Sequence, residues 1–367
     1  MVMIMKQETL RQFAEYMMMP ELRWQHPAGK YLLVFSTNCR EKNGFGSISF
    51  KCTGPSTEAP STKEENVLLI TGGVAVGAVL SSVEVYPNTH NCSPPPLPVV
   101  RSFHATFLTS EPNPVLATCG GRVGGEGITA SCIVLDKSND RWDESRMGNL
   151  TMPRYASAAI SLNFLGVFMI GGYTVNNKRT SDFLAAGRME WQHGPPLPLH
   201  MLHPCAVTIT PSSFLVFAET NIREFDADIA GPMSSMGWRE AGRWPRLKVW
   251  RGRWSGCAKL GPKVIVAGGY GNGGSLKSTE VVDLKSRRIS SGGNLVTPRY
   301  WFHIAPIVRK GFEKVIAFGG LDGWSVVDTV EEWVEESSTW KEVNSLSKER
   351  SYFGATVVLN RENICPT

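Results

Sequence analysis

The sequence predicts an all-β protein built from six similar units. A short apolar run followed by two glycines recurs five times, with the first glycine at positions 72, 120, 171, 268 and 319. A sixth, degenerate copy has Ala218 in the place of the first glycine, so the intervals between copies run from 47 to 51 residues. The composition agrees, because 36 Gly, 23 Pro and 11 Trp are typical of short strands joined by tight turns.

Most units carry further features in a fixed order after the paired glycines. A loop leads to a β-rich run, then to a Trp, then to a turn with Pro or Arg that precedes a strand of small residues. The Trp residues in this place are Trp142, Trp191, Trp238 and Trp340. In this order and at this period, the units resemble the repeats of the kelch family over roughly residues 66–360. The resemblance implies a six-bladed β-propeller with one four-stranded antiparallel sheet per repeat.

The strand count predicts how such a ring closes. The first unit lacks a small-residue strand and the last has a spare one at 351–358, so we expect this C-terminal strand to complete blade one as its innermost strand. Glycine pairs are expected where a larger side chain would meet the next blade, and Trp rings are expected between blades. The propeller then covers 66–367. Residues 1–65 form a partly disordered extension, with a strand near Tyr31 and a polar linker at 53–65.

The 8 cysteines indicate a disulfide framework. Two pairs are predicted from hairpin and strand-end positions, and a third pair is a candidate: Cys119–Cys132, Cys92–Cys365 and Cys39–Cys52. Cys205 and Cys257 occupy equivalent places in two innermost strands, and we interpret them as buried free thiols.

Disulfides imply an oxidising compartment, and the glycosylation sequons at Asn91 and Asn149 favour the same location. Charged residues at positions 6, 8, 11 and 15 interrupt the apolar run that a secretory signal requires. The sequence therefore favours a secreted protein, with the cytoplasm as the alternative. The uncharged run from Val67 to Val83 is interpreted as two strands and a loop, and no membrane span is predicted.

One mouth of the predicted channel is the expected partner surface. Five arginines each precede a predicted innermost strand, and we expect them to ring this mouth: Arg101, Arg154, Arg253, Arg299 and Arg350. The loops after the glycine pairs open on the same face and add Arg122, Lys178, Tyr270 and Trp324. Arginine binds carboxylates and aromatic rings provide contact area, and the kelch resemblance implies binding of acidic peptide segments here. The alternative is that the arginines only hydrogen-bond carbonyl groups of adjacent blades.

The predicted function is a non-catalytic scaffold, expected to be a monomer, that binds a protein or peptide or, alternatively, a glycan. Nucleic acid is not an expected partner because the net charge of +5 is modest. The rival hypothesis is a carbohydrate-active enzyme, because some six-bladed kelch propellers resemble sialate mutarotases that bind an acidic sugar at an arginine-lined mouth. No catalytic motif is recognised, so an enzyme is not predicted.

Three remaining motifs are interpreted as structural. The run from Gly269 to Gly274 fits a dinucleotide fingerprint, but a strand follows it where a helix is required, so we predict a turn and no cofactor. The histidines of the innermost strands are interpreted as satisfied channel residues rather than metal ligands: His104, His303, His200 and His203. The acidic run at 331–336 is interpreted as a solvated blade edge.

Overall fold

The computed structural model describes residues 65–87, 93–110, 114–124, 127–162, 164–175, 179–227, 237–252, 254–359 and 364, and the backbone of two strands nearer the N-terminus. Contacts between residues divide the chain into two units, Met1–Ser61 and Thr62–Thr367. In the first unit, Val2–Met5 and Tyr31–Val34 pair as antiparallel strands. The strand predicted at Tyr31 is therefore confirmed.

The second unit consists of six antiparallel sheets, called blades 1 to 6, and the described residues contain no helix. From inside to outside, blade 1 has Gly354–Val358, Val67–Thr71 and Val83–Tyr86; blade 2 has Ala105–Leu108, Leu116–Cys119, Cys132–Asp136 and Arg141–Asp143. Blade 3 has Ala158–Leu162, Gly166–Ile170, Ser181–Ala185 and Trp191–His193; blade 4 has Cys205–Thr210, Ser213–Ala218, Asn221–Asp226 and Gly237–Trp238. Blade 5 has Gly256–Leu260, Lys263–Ala267, Ser278–Asp283 and Ile289–Asn294; blade 6 has His303–Arg309, Phe312–Phe318, Thr329–Val334 and Thr339–Ser345.

The blades form a closed ring. Each innermost strand contacts the innermost strand of the next blade, and the sixth contacts the first. The closing strand pairs with the first strand of the second unit, with Val67 opposite Val358 and Thr71 opposite Gly354. The prediction of a six-bladed β-propeller closed by its C-terminal strand is confirmed.

The hydrophobic core lies between the blades. Buried residues form six clusters, and each cluster joins two neighbouring blades. Trp142 packs between blades 1 and 2, and its indole N–H donates to the Pro95 carbonyl at 2.9 Å. Gly72 has a φ of +54°, and a Cβ atom there would lie 2.4 Å from the Arg101 carbonyl oxygen of the next blade. The predicted places of the Trp rings and of this glycine are thus confirmed, because each sheet covers its neighbour.

Two sets of connections share one end of the ring, which we call the upper face. Because antiparallel strands alternate in direction, the loops after the paired glycines and the segments entering the innermost strands lie at the same end. They pair directly in several blades: Arg122–Val123 with Arg101–Ser102, Tyr173–Thr174 with Arg154–Tyr155, and Leu321 with Tyr300. Three of the loops also form short hairpins: Val74–Ala75 with Ala78–Val79, Tyr270–Gly271 with Gly274–Ser275, and Leu321–Asp322 with Ser325–Val326.

Two cysteine pairs lie at disulfide distance. Cys119 and Cys132 are directly opposite each other in blade 2, with their Cα atoms 4.1 Å apart, as predicted. Cys205 and Cys257 are also bonded, with a Cα separation of 5.9 Å, so their interpretation as free thiols is wrong. Equivalent positions in neighbouring innermost strands converge near the axis, which brings these two thiols together. The other predicted pairs lie outside the described residues: Cys92–Cys365 and Cys39–Cys52.

Replacement of the two disulfides should destabilise the propeller to different extents. The Cys119–Cys132 bond spans a sequence separation of 13, and the Cys205–Cys257 bond spans 52. A Cys119→Ser/Cys132→Ser variant loses the short loop, and a Cys205→Ser/Cys257→Ser variant loses the long one. We expect each to lose about 2–4 kcal/mol of unfolding free energy, the second more than the first, because longer loops restrict the unfolded chain more. Urea unfolding measures the loss, and a non-reducing peptide map should show both bonds. Complete alkylation of all four thiols in the unreduced chain would contradict both assignments.

Candidate binding site at the upper mouth

Four of the five predicted mouth arginines are buried and act as clamps within their own blades. The Arg299 Nη1 atom donates to the Gly319 carbonyl at 2.9 Å, and its Nη2 atom lies 2.5 Å from the Glu331 carboxylate. Both of these charged side chains have 0% exposure. The same arrangement recurs in three other blades as Arg154–Asp182, Arg251–Glu280 and Arg350–Glu84. Burial lowers the pKa of the Arg299 guanidinium, and the Glu331 carboxylate opposes this shift.

The prediction that these arginines are exposed at the mouth and bind a partner is therefore wrong for the four that are buried. The repeat pattern located Arg101, Arg154, Arg299 and Arg350 before innermost strands, but their side chains turn into the blade, where the carbonyl group after the second strand needs a donor. The alternative interpretation was that the arginines hydrogen-bond carbonyl groups of adjacent blades. The arginines do bind carbonyl groups, but those of their own blade.

The clamp of blade 5 is Arg251, which the sequence analysis did not select. It donates to the Gly268 carbonyl at 2.9 Å across 17 residues, the separation that also joins Arg154 to Gly171. That shared spacing was the signal available in the sequence. The predicted Arg253, like the predicted Lys178, lies outside the described residues.

Three predicted partner-binding residues do remain on the upper face. Trp324 is 98% exposed and Tyr270 is 36% exposed, both on loops that follow paired glycines. Arg122 is exposed, and its guanidinium carbon lies 5.5 Å from the centroid of the Tyr155 ring. These side chains present two aromatic groups and a stacked cation to solvent, which is the composition expected of an interaction surface.

A cluster of rings at the centre of the mouth was not predicted from the sequence. We call it the aromatic floor, and it consists of Phe103, Trp254, Trp301 and Tyr352. Each comes from a different blade and is half-buried. The Trp301 ring lies 3.8 Å from Tyr352 and 4.1 Å from Trp254, measured between centroids. Phe103 of blade 2 also contacts Trp301 of blade 6 at 6.0 Å, with blade 1 between them. The floor therefore reaches across the axis at the upper end of the ring.

The floor residues occupy one equivalent position in every blade, with Ala156 and His203 in the remaining two. All six have a left-handed backbone, with φ between 51° and 71°: Phe103, Ala156, His203, Trp254, Trp301 and Tyr352. Backbone hydrogen bonds join three neighbouring pairs: Phe103 N–H donates to the Tyr352 carbonyl, Ala156 N–H to the Phe103 carbonyl and Tyr352 N–H to the Trp301 carbonyl, at 2.7, 2.7 and 3.3 Å. In four of the five repeats with a clamp arginine this residue lies two positions after it, and Trp254 lies three positions after Arg251. Aligning the repeats on the clamp would therefore have located most of this ring from the sequence.

Burial affects the titration of the aromatic and imidazole groups near the axis. It raises the pKa of the Tyr352 phenol and, less strongly, that of Tyr300, so both phenols stay neutral. His104 is buried and His303 is half-buried, and desolvation lowers the pKa of both imidazoles. The His104 Nε2 atom lies 2.8 Å from the Thr71 hydroxyl, whereas its Nδ1 atom is buried without a partner among the described residues.

The other motifs have structural roles in the described part of the chain. Gly269 to Gly274 forms the hairpin of blade 5 and leads to a strand, so the predicted turn is confirmed. The acidic run is not a solvated edge at its start, because Glu331 is in the clamp and the largely buried Glu332 pairs with Lys314. No group of three or more potential metal ligands occurs within the described ranges.

Comparison of the sequence with protein-family models finds no match, and comparison with curated proteins finds no similar relative. The propeller architecture therefore stands on the strand pairing itself. None of the described segments forms a long apolar helix capable of crossing a membrane.

Removing the Arg299 cation should destabilise the protein strongly. An Arg299→Ala variant leaves Glu331 fully buried without its partner, so we expect a loss of about 3–5 kcal/mol of unfolding free energy in urea. An Arg299→Met/Glu331→Ile variant removes both charges and should lose less. Arg122→Ala is the matched surface control, with a change within about 0.5 kcal/mol. Equal losses for Arg299→Ala and Arg122→Ala would contradict the clamp.

Mild acid should weaken the fold through two imidazoles near the axis, those of His104 and His303. Below the ordinary histidine pKa of 6.5 the unfolded chain takes up protons that folded His104 and His303 do not, so unfolding free energy falls as the pH drops. The slope should reach about 1.4 kcal/mol per pH unit for each imidazole. Urea midpoints at about pH 7.5 and 5.5 measure it. The His104→Gln/His303→Gln variant should show a smaller drop than wild type, whereas the exposed His200→Gln control should match wild type.

Proposed function

We propose that this chain is a kelch-type propeller that works as a non-catalytic scaffold and binds a protein or peptide partner at its upper mouth. The observation that carries the proposal is the aromatic floor, surrounded on the same face by exposed apolar side chains. Val76, Val175, Trp250, Tyr270 and Trp324 all lie in upper-face connections and are exposed. Apolar and aromatic groups concentrated at one surface are characteristic of interaction sites, where Trp and Tyr carry much of the binding energy.

The kelch assignment is supported by the repeat order in the sequence and by the four-stranded sheets that it implied, which the described residues form in blades 2 to 6. Arg122, stacked on Tyr155, supplies a cation beside the floor that suits an acidic group on the partner. The carbohydrate-active alternative has less support, because four of the five arginines expected to bind an acidic sugar are buried in clamps: Arg101, Arg154, Arg299 and Arg350. The two disulfide-bonded pairs support a location in an oxidising compartment.

Substitution of the exposed mouth residues should abolish partner binding and preserve the fold. We expect a Trp324→Ala/Tyr270→Ala/Arg122→Ala variant to lose at least about 2 kcal/mol of binding free energy, because large exposed aromatic residues dominate interfaces. Affinity capture with quantitative mass spectrometry compares this variant with wild type. Phe312→Ala is the matched control, since Phe312 is an exposed aromatic residue at the turn between the two inner strands of blade 6, on the lower face.

The proposal requires partners that the triple variant loses and the Phe312→Ala variant retains. Equal capture of every partner by wild type and by the triple variant would show that the upper mouth is not the binding surface.

A further inference from the structure

The wall of the upper mouth is interrupted at blade 4. In the other five blades the connection from the second to the third strand spans residues 72–82, 120–131, 171–180, 268–277 and 319–328. In blade 4 the second strand ends at Ala218 and the third begins at Asn221, so only Glu219 and Thr220 connect them. We call this interruption the notch. It leaves the aromatic floor open to one side of the ring.

The borders of the notch are apolar or aromatic. Val175, on the loop of blade 3, is 74% exposed, and Trp250, in the segment that enters blade 5, is 49% exposed. His203 stands at the inner end of the notch, where its ring lies 5.0 Å from the Trp254 ring of the floor and 5.2 Å from Tyr173. Apolar and aromatic side chains therefore line both sides of the notch, and exposed Glu219 and half-buried Thr220 form its base.

The chemistry of the floor favours a polypeptide over a saccharide. The Trp301 ring is tilted by 47° to Tyr352 and by 54° to Trp254, so the floor rings cover part of each other's faces. A sugar ring needs an open aromatic face together with polar side chains for its hydroxyl groups, and the clamp arginines are already paired. Ring edges and packed apolar surface suit an aromatic side chain, which packs edge to face, or an aliphatic side chain, which packs on the apolar surface.

We propose that the upper mouth receives an extended segment of a partner polypeptide, which places an apolar or aromatic side chain on the floor and leaves over blade 4 through the notch. This inference rests on the proposed function. A chain that continues beyond its anchor residue needs a lateral exit, which the notch provides. We also expect an acidic residue in the same segment, because exposed Arg122 supplies a positive charge at the mouth.

The test is a selection of linear peptides from a phage-displayed library on the immobilised full chain. We expect enriched peptides to share an aromatic or aliphatic residue near an acidic one. Their affinity is then measured by fluorescence polarisation for a variant that carries the sequence of residues 271–275 inserted between Glu219 and Thr220, which fills the notch. The affinity should fall by about tenfold or more, equivalent to about 1.4 kcal/mol. The same insertion between Lys310 and Gly311, at the lower-face turn of blade 6, should leave it unchanged.

A second variant guards against misfolding of the insertion. Val175→Glu changes an exposed side chain at the border of the notch, so it should keep the wild-type urea midpoint and still weaken the selected peptides. A Trp324→Ala/Tyr270→Ala variant tests the mouth itself.

The outcomes separate the two proposals. Peptides that lose affinity for Trp324→Ala/Tyr270→Ala but bind both notch variants like wild type would overturn the notch and leave the mouth as the binding surface. Peptides unaffected by any of these changes would overturn both proposals. Enrichment of no linear peptide, with saccharides from a glycan array binding instead, would overturn the assignment of a polypeptide.

Discussion

The assembly of the ring depends on the clamp, which joins two blades at once, as Arg350 illustrates. The side chain of Arg350 binds the Gly72 carbonyl and the Glu84 carboxylate of blade 1, at 3.2 and 3.0 Å. The backbone carbonyl of the same residue accepts a hydrogen bond of 2.8 Å from the Gly320 N–H of blade 6. A left-handed glycine pair is needed at this point, because a Cβ atom on Gly319 would lie 2.7 Å from the Arg350 carbonyl oxygen and one on Gly320 would lie 2.6 Å from the Phe302 side chain. The clamp thus connects local strand geometry to assembly of the whole ring.

Two blades lack the clamp's ion pair, and both carry a disulfide. In blade 2 the position opposite Thr118 holds Ile133 rather than an acid, and burial lowers the pKa of Arg101 to about 10, with distant Glu144 opposing the shift. In blade 4 Met201 stands in place of the arginine, although its carbonyl still accepts the bond from the preceding blade. Among the described residues, one covalent bond lies within blade 2 and the other joins blade 4 to blade 5, which keeps its own Arg251–Glu280 pair.

The sequence predicted the ring far better than it predicted the site. Period and strand count are long-range information, so the pairing of Val67 with Val358 could be foreseen. Side-chain direction is not contained in a repeat pattern, and therefore Arg299 was placed on the surface although it is fully buried. The exposure of Trp324 could be predicted because it lies in a surface loop. The floor was not predicted because Phe103 and Trp301 lie far apart in the sequence, and only the folded ring brings them into contact near the axis.

The six left-handed positions have a consequence for how such a surface diversifies. All six share a left-handed backbone, and backbone hydrogen bonds join three neighbouring pairs, so the scaffold specifies where each side chain starts but not its identity. A β-branched residue is disfavoured in that conformation, whereas aromatic residues, alanine and histidine are all present. New ligand preferences can therefore arise by exchanging these six side chains while every strand of the scaffold stays in register.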